Sequence, residues 1–299
     1  MSIQVNRLRK SYGSFEAVRD LSFDVPTGSL FAFLGANGAG KSTTIGCITT
    51  VLRPTSGQIR VHDRDVVDDP YGVRGVIGAV FQQSLLDPLL SVRENLATRA
   101  GFYGLHRREA SARIGELAEL IDLKDFLDRS YGVLSGGQKR RADIARAIIH
   151  RPRVVFLDEP TAGLDPQSRE QIWSAIGQLR ADHATTIFLT THYMEETERA
   201  DQVCIIARGE IVAEGTPAAL RSSFSRSVLT VRASEASAFL AACEARGVVG
   251  EHIGDVVRVS VDRVEQAREL LQVPQVIDFE FRHGTMDDVF LNVTGGQAA

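Results

Sequence analysis

Apolar positions along this chain come in short blocks with strand-like or helical spacing, and most blocks stop at glycine, proline or charged residues. Ile3-Gln4-Val5 alternates, and Ile3 to Val25 reads as strands joined by turns, with Tyr12-Gly13-Ser14 as a turn signal. Pro26-Thr27-Gly28 leads into Leu30-Phe31-Ala32-Phe33-Leu34, an unbroken apolar run of the kind a strand buried on both faces carries. A helical segment follows from about Lys41 to Leu52. Beyond a loop at Pro54–Gly57, Gln58–Val61 reads as a short strand and Val76–Phe81 as a buried one. From Ser91 to about Phe126 the spacing is helical, with Leu117, Leu120 and Ile121 on one face and no long heptad array. Two more apolar runs, Arg153–Pro160 and Thr185–Thr191, flank a helix carrying Ile172, Trp173 and Ile176. Strands alternating with helices predict an open, mainly parallel α/β core with its ligand at the carboxyl edge of the sheet.

The tail has a different rhythm. From about Ser225 it reads as strand (Val228–Val231), helix (Ala236–Cys243), strand (Val256–Val261), helix (Val264–Leu271) and strand, with Ile277, Phe279 and Phe281 on one face of the last. Thr285-Met286-Asp287-Asp288 reads as a capping box opening a final helix. The expected organisation is therefore a large α/β domain over residues 1–224 and a small α+β domain over 225–299.

Candidate chemistry enters between the first buried strand and the first helix. Gly35-Ala36-Asn37-Gly38-Ala39-Gly40-Lys41-Ser42 fills the G-x-x-x-x-G-K-[ST] template, in the strand–loop–helix setting that such a match requires. Glycines let backbone N–H groups wrap a triphosphate, and the helix N-terminus adds partial positive charge. Lys41 can set an ammonium between β- and γ-phosphates, and the Ser42 hydroxyl can ligate Mg²⁺. The chain is expected to bind a nucleoside triphosphate.

Other stretches read two ways from their residues alone. Leu134-Ser135-Gly136-Gly137-Gln138 opens a helix bearing Ile144, Ala147 and Ile148. With Ser135 as N-cap and two glycines freeing the backbone, it is either a second anion-binding helix start or an ordinary capped helix. Two phosphate-type loops in one chain are odd for one triphosphate. Asp158-Glu159, ending an apolar strand, suit Mg²⁺ and an attacking water, but acid pairs also occur as plain turn residues. His192, just past a strand, is balanced between surface and site. Tyr12, after basic Arg7, Arg9 and Lys10, reads as turn-exposed surface. Ser84–Leu90, apolar but broken by Pro88, either folds onto the core or forms a docking surface.

Bulk properties narrow the classes. A formal charge of −4 gives no general pull towards nucleic acid. No apolar run reaches the roughly 18–20 residues of a membrane span, and no signal-peptide pattern opens the chain, so a membrane contact is expected only through a partner. Cys47, Cys204 and Cys243 lie far apart in no metal-ligand spacing and are expected to be reduced core thiols.

Taken together, Tyr12, Gly35–Ser42, Gln82, Leu134–Gln138, Val154–Glu159, Gly163–Asp165 and His192 resemble the ordered motifs of the ATP-binding subunit of ABC transporters, over about Ile3 to Leu220. The Leu-Ser-Gly-Gly-Gln run is the specific discriminator among phosphate-loop proteins. The resemblance implies a P-loop NTPase fold with a helical subdomain at about residues 83–150, and ATP and Mg²⁺ as ligands. It implies that Tyr12 stacks on adenine, and that Gly35, Asn37, Gly38, Ala39, Gly40, Lys41, Ser42 and Thr43 hold phosphates. Ser42, Gln82 and Asp158 would serve the metal, Glu159 would be the general base, and Gln82 and His192 would contact or sense the γ-phosphate. Ser135, Gly136, Gly137 and Gln138 would bind the γ-phosphate held by a second subunit, and Asp165 would lie across that contact. One nucleotide then has two phosphate loops because they come from two chains.

The tail, with its Asp-Asp-Val-Phe-Leu helix, and the His192–Glu196 and Ala213–Pro217 stretches are similar to exporter ATPases of the multidrug subfamily, including the daunorubicin-resistance type. That implies a second copy or a paralogue and an integral-membrane permease as partners, docked near Leu85–Leu90. The implied cargo is a drug, lipid or other hydrophobic or polymeric substrate. The implied place is the cytoplasmic face of the membrane, with no nucleic acid. A soluble ABC ATPase acting on nucleic acid or ribosomes is disfavoured by the charge, by the single cassette and by the missing coiled-coil insertion. A small-molecule kinase would leave the Ser135 loop without a job. The tail itself reads equally as a dimerising or regulatory element and as a structural cap.

Overall fold

The computed structural model describes residues 1–183, 185–261 and 263–295, and the chain divides into two compact units, Met1–Glu214 and Gly215–Ala299.

In the first unit, β1 (Ile3–Tyr12) and β2 (Phe15–Val25) form an antiparallel hairpin whose turn places Gly13 at φ 59°. The chain continues through β3 (Leu30–Leu34) and α1 (Lys41–Ile48) to β4 (Ser56–Val61) and β5 (Arg64–Asp65). Next come α2 (Pro70–Val76), β6 (Ile77–Val80), α3 (Val92–Phe102), α4 (Arg107–Leu120) and α5 (Gly136–Ile148). The unit closes with β7 (Val154–Asp158), α6 (Pro166–His183), β8 (Thr186–Thr191), α7 (Met194–Thr197), β9 (Gln202–Ala207) and β10 (Glu210–Gly215).

Two sheets result. One is antiparallel, in the order β2-β1-β4-β5. The other runs β10-β9-β3-β8-β7-β6 and is parallel from β9 through β6. β3, β7 and β8 are buried at every position, which is why their sequences are nearly continuous apolar runs. Phe188 on β8 centres the core, with the rings of Phe23, Phe31, Phe33 and Phe156 at 5.3–6.2 Å. Such offset aromatic contacts add to the burial of apolar area that holds the sheets together. Leu34 pairs with Thr191 and Asp158 with Thr190, so the three central strands end at one edge.

Two local differences from the expected elements have simple causes. α1 stops at Ile48 rather than near Leu52, because Thr50 takes φ 64° and Leu52 N turns back to Gly46 O at 2.8 Å. The helical stretch after Ser91 is two helices, separated at Gly104 with φ 77°. Ser91 opens the first of them with a capping box to Glu94.

The second unit contains α8 (Pro217–Phe224), β11 (Ser227–Ala233), α9 (Ala236–Glu244), β12 (Gly250–Ile253), β13 (Val256–Val261), α10 (Val264–Leu271), β14 (Val276–Arg282) and α11 (Met286–Thr294). Its β-α-β-β-α-β run folds into an antiparallel sheet ordered β12-β13-β11-β14 over a core that includes Leu229, Val231, Phe239, Val259 and Leu270. The division falls ten residues before the expected 225, because α8 packs with α11 and Asn292 Nδ2 donates to Phe224 O at 2.8 Å. On the edge strand β14, Phe281 packs on this core while Ile277 and Phe279 remain exposed.

Candidate nucleotide site

The loop between β3 and α1 needs its glycines. Gly40 has φ 109°, and a Cβ there would stand 2.8 Å from Ala17 O; at Gly35 it would stand 2.6 Å from Ile206 O. Lys41, the first residue of α1, is buried. Its Nζ donates to Gly35 O at 2.6 Å and Ala36 O at 3.2 Å, and lies 3.6 Å from Glu159 Oε1. Burial pulls its pKa below the ordinary lysine value, opposed by the charges of Glu159 and Asp158. Around it opens a cleft of about 490 Å³ lined by Tyr12, Phe15, Ala17, Ala36, Asn37, Gly38, Gly40, Lys41, Ser42, Thr43, Gln82, Asp158 and Glu159. Gly35, Ala39 and His192 are not among its lining residues.

The two acids arrive at the end of β7. Asp158 Oδ2 accepts from Ser42 Oγ at 3.5 Å, and Asp158 Oδ1 accepts from Thr190 Oγ1 at 2.5 Å. Glu159 takes φ 47°, its N–H donates to Thr190 O at 3.1 Å, and its Oε1 accepts from His192 Nδ1 at 3.0 Å. The strand end thus turns one carboxylate towards Ser42 and the other towards Lys41 and His192. A hydroxyl and a single carboxylate oxygen beside a phosphate loop fit Mg²⁺, which takes one or two protein oxygens and fills its octahedron from phosphates and water. No group of three or more His, Cys, Asp or Glu poised for a metal occurs among the described residues.

The Ser135 stretch is a capped helix start. Ser135 Oγ accepts from Gln138 N at 3.3 Å and Gln138 Oε1 accepts from Ser135 N at 3.1 Å. Gly137 is required by packing, since a Cβ there would meet Ser168 Oγ at 2.4 Å, whereas one at Gly136 would reach only Leu164 Cδ2 at 3.5 Å. Asp165 in turn accepts from Ser168 N at 2.9 Å and Ser168 Oγ at 2.6 Å. The structure therefore brings Gly137 and Asp165 together through Ser168, and none of Ser135, Gly136, Gly137, Gln138 or Asp165 lines the Lys41 cleft.

Buried side chains absent from the sequence reading tie these parts together. The Arg140 guanidinium on α5 donates to Phe81 O at 2.7 Å, Asp158 O at 2.5 Å and Pro160 O at 2.9 Å. Asp143 accepts from Ser84 Oγ at 2.6 Å and Tyr131 OH at 3.1 Å, and burial raises its pKa. Helix α5 is thereby anchored to the strand end carrying Asp158 and to the loop after Gln82. In that loop Leu86 is buried while Leu85 and Leu89 are exposed, so the segment both folds inward and presents apolar surface. Phe15 was missed as well; it pairs with Tyr12 across the Gly13 turn, and that hairpin register was the signal that could have found it.

The model of the ABC transporter family matches residues 18–162. The daunorubicin/doxorubicin resistance ATP-binding protein DrrA of Streptomyces peucetius is 36% identical over 312 residues, covering 99% of this chain and 93% of that protein. The Nod factor export ATP-binding protein I of Burkholderia orbicola is 36% identical over 295 residues, covering 98% and 97%. Among solved structures, a dimeric post-hydrolysis state of the ATP-binding cassette MJ0796 bound to ADP and Pi superposes with TM-score 0.66 at 26% identity, over 72% of this chain and 98% of that one. CbiO1 of Clostridium perfringens, part of the ABC transporter complex cbiONQ, superposes with TM-score 0.68 at 28% identity, over 73% and 90%. The chain belongs to the ABC transporter family, as an ATP-hydrolysing subunit of the exporter type.

Proposed function

We propose that two copies of this chain clasp two ATP molecules head to tail and drive a separate membrane permease. The observation that carries this reading is the split phosphate site: Lys41, Ser42, Asp158 and Glu159 share one cleft, and the capped start of α5 lies outside it. A helix N-terminus favours a phosphate, and a second chain supplies one.

In the proposed site Tyr12, beside Phe15, stacks on the base. Asn37, Gly38, Gly40 and Thr43 surround the phosphates, and Lys41 exchanges its carbonyl and Glu159 partners for phosphate oxygens. Ser42, Asp158 and Gln82 would hold Mg²⁺, which would supply neutralisation of the phosphate charge. Glu159 takes the proton of the attacking water, and His192 contacts the γ-phosphate. Ser135, Gly136, Gly137 and Gln138 of one copy close over the nucleotide of the other, with Asp165 across the contact. Moving a two-state dimer from mostly open to mostly closed takes about 5.5 kcal/mol of differential binding, and two nucleotides touched by both chains are a sufficient source.

No helix among the described residues is long and apolar enough to cross a membrane, so the permease contact is a docked one. Leu85 and Leu89, exposed beside Gln82, are its proposed seat, within the helical subdomain at about residues 83–150. The chain then sits at the cytoplasmic face of the membrane. The resemblance to drug and Nod factor exporters supports outward transport of a hydrophobic or polymeric substrate.

A mixing experiment tests the shared site. Lys41→Ala and Ser135→Arg chains should each lose ATP turnover. Equal amounts together should regain about a quarter of wild-type turnover, because half the dimers then hold one intact site. A mixture as inactive as its components contradicts the reading.

A further inference from the structure

Thr190 is fully buried on β8 and stands opposite Asp158 in the parallel register with β7. Its Oγ1 donates to Asp158 Oδ1 at 2.5 Å and accepts from Glu159 N at 3.2 Å. A hydroxyl has one donor hydrogen and two acceptor lone pairs, so a single group reaches both acids. Just past the last strand residue, Thr191, His192 holds the Glu159 carboxylate at 3.0 Å. Strand β8 and the residue that follows it thus grip the pair at the Asp158 side chain, the Glu159 backbone N–H and the Glu159 side chain.

We propose that Thr190 is a positioning residue for the metal and the general base. With Oδ1 occupied by Thr190, the Asp158 carboxylate is fixed in the rotamer that turns Oδ2 to Ser42 Oγ, 3.5 Å away. Without that donor, Oδ1 is a nearly buried acceptor lacking its partner, and the carboxylate rotates to find another. The same hydroxyl, with Thr190 O, holds the peptide N–H of Glu159, whose φ of 47° a β-strand would not otherwise keep. This inference rests on the nucleotide-site reading above and adds to it the group that orients its acids.

Thr190→Val keeps the β-branched shape that suits a buried strand and removes only the hydroxyl. Partners that orient metal-ligating carboxylates are worth about ten- to a hundredfold in metal affinity. The measurement is binding of a fluorescent ATP analogue to the full chain as Mg²⁺ is titrated, with turnover not used as the readout. Thr190→Val should raise the Mg²⁺ concentration at half-effect by about tenfold or more, Thr190→Ser should stay within about twofold of wild type, and metal-free binding of the analogue should be unchanged in both. Should the valine variant not fold, judged by its melting transition, Thr190→Ala against Thr190→Ser makes the same comparison. Equal Mg²⁺ dependence with and without the hydroxyl overturns the role of Thr190 and leaves the site standing. A wild-type chain that binds no analogue at any Mg²⁺ concentration sinks the site itself.

Discussion

His192 Nδ1 lies 3.0 Å from Glu159 Oε1, and the same carboxylate oxygen lies 3.6 Å from Lys41 Nζ. An ionised carboxylate only accepts, so Nδ1 carries the hydrogen and Nε2 is the nitrogen left to meet another group. One acid, the phosphate-loop lysine and the strand-end histidine are therefore already in contact, 33 residues separating the acid from the histidine in sequence.

His192→Ala removes the donor that aims Glu159 while leaving the phosphate loop intact. ATP turnover should fall by about a hundredfold or more, the scale of a positioned acid–base contribution. ATP binding, measured by equilibrium titration, should change by no more than a few fold. A variant that hydrolyses normally would remove His192 from the site.

The two glycines after Ser135 should behave differently. Gly137→Ala forces a Cβ against Ser168 Oγ at 2.4 Å and should destabilise the chain by about 1–3 kcal/mol in urea unfolding, as overpacking does. Gly136→Ala meets only Leu164 Cδ2 at 3.5 Å and should leave stability within about 0.5 kcal/mol. Equal costs would mean that the α5 start does not pack as described.

The contrast shows where the sequence was readable. Leu30–Leu34, Val154–Asp158 and Thr186–Thr191 could be placed in a parallel sheet because strands buried on both faces leave continuous apolar runs. Lys41, Asp158, Glu159 and His192 could be placed at one edge because that sheet ends its strands together. The reason for Gly137 could not be read, since Ser168 is its neighbour only after α6 packs on α5. Arg140, Asp143 and Thr190 escaped for the same reason: their partners are backbone carbonyls or residues on other elements, which leave no local signature. Most of the second unit's strands and helices were legible, but β12, a short and mostly exposed edge strand, was not, nor were α8 and the unit's start at Gly215, because the α8–α11 contact joins segments far apart in sequence.

A half-buried histidine gives the fold an acid limit. His150 stacks on Tyr103 at 3.8 Å and bonds through Nε2 to Ile77 O at 2.9 Å, which fixes the hydrogen on Nε2. Burial lowers its pKa from 6.5 to about 4, although the Ile77 carbonyl favours the charged form; Arg99, Arg113 and Arg146 lower it further. The unfolded chain then binds more protons than the folded one between about pH 6.5 and 4. Stability present above that window is lost as pH falls through it, by on the order of 3 kcal/mol from this group. His150→Phe, which keeps the stacked ring, should unfold with a flatter pH dependence over that range in denaturant titrations at successive pH values. An unchanged slope would assign the acid sensitivity elsewhere.

The most direct test of the account is the mass of the Glu159→Gln chain in solution with ATP and Mg²⁺, measured by light scattering. The substitution keeps the shape at the strand end, removes the general base and should trap the nucleotide uncleaved. The account predicts a particle of twice the 32.7 kDa chain mass that returns to a single chain when nucleotide is removed. A single chain at saturating ATP and high protein concentration would contradict it.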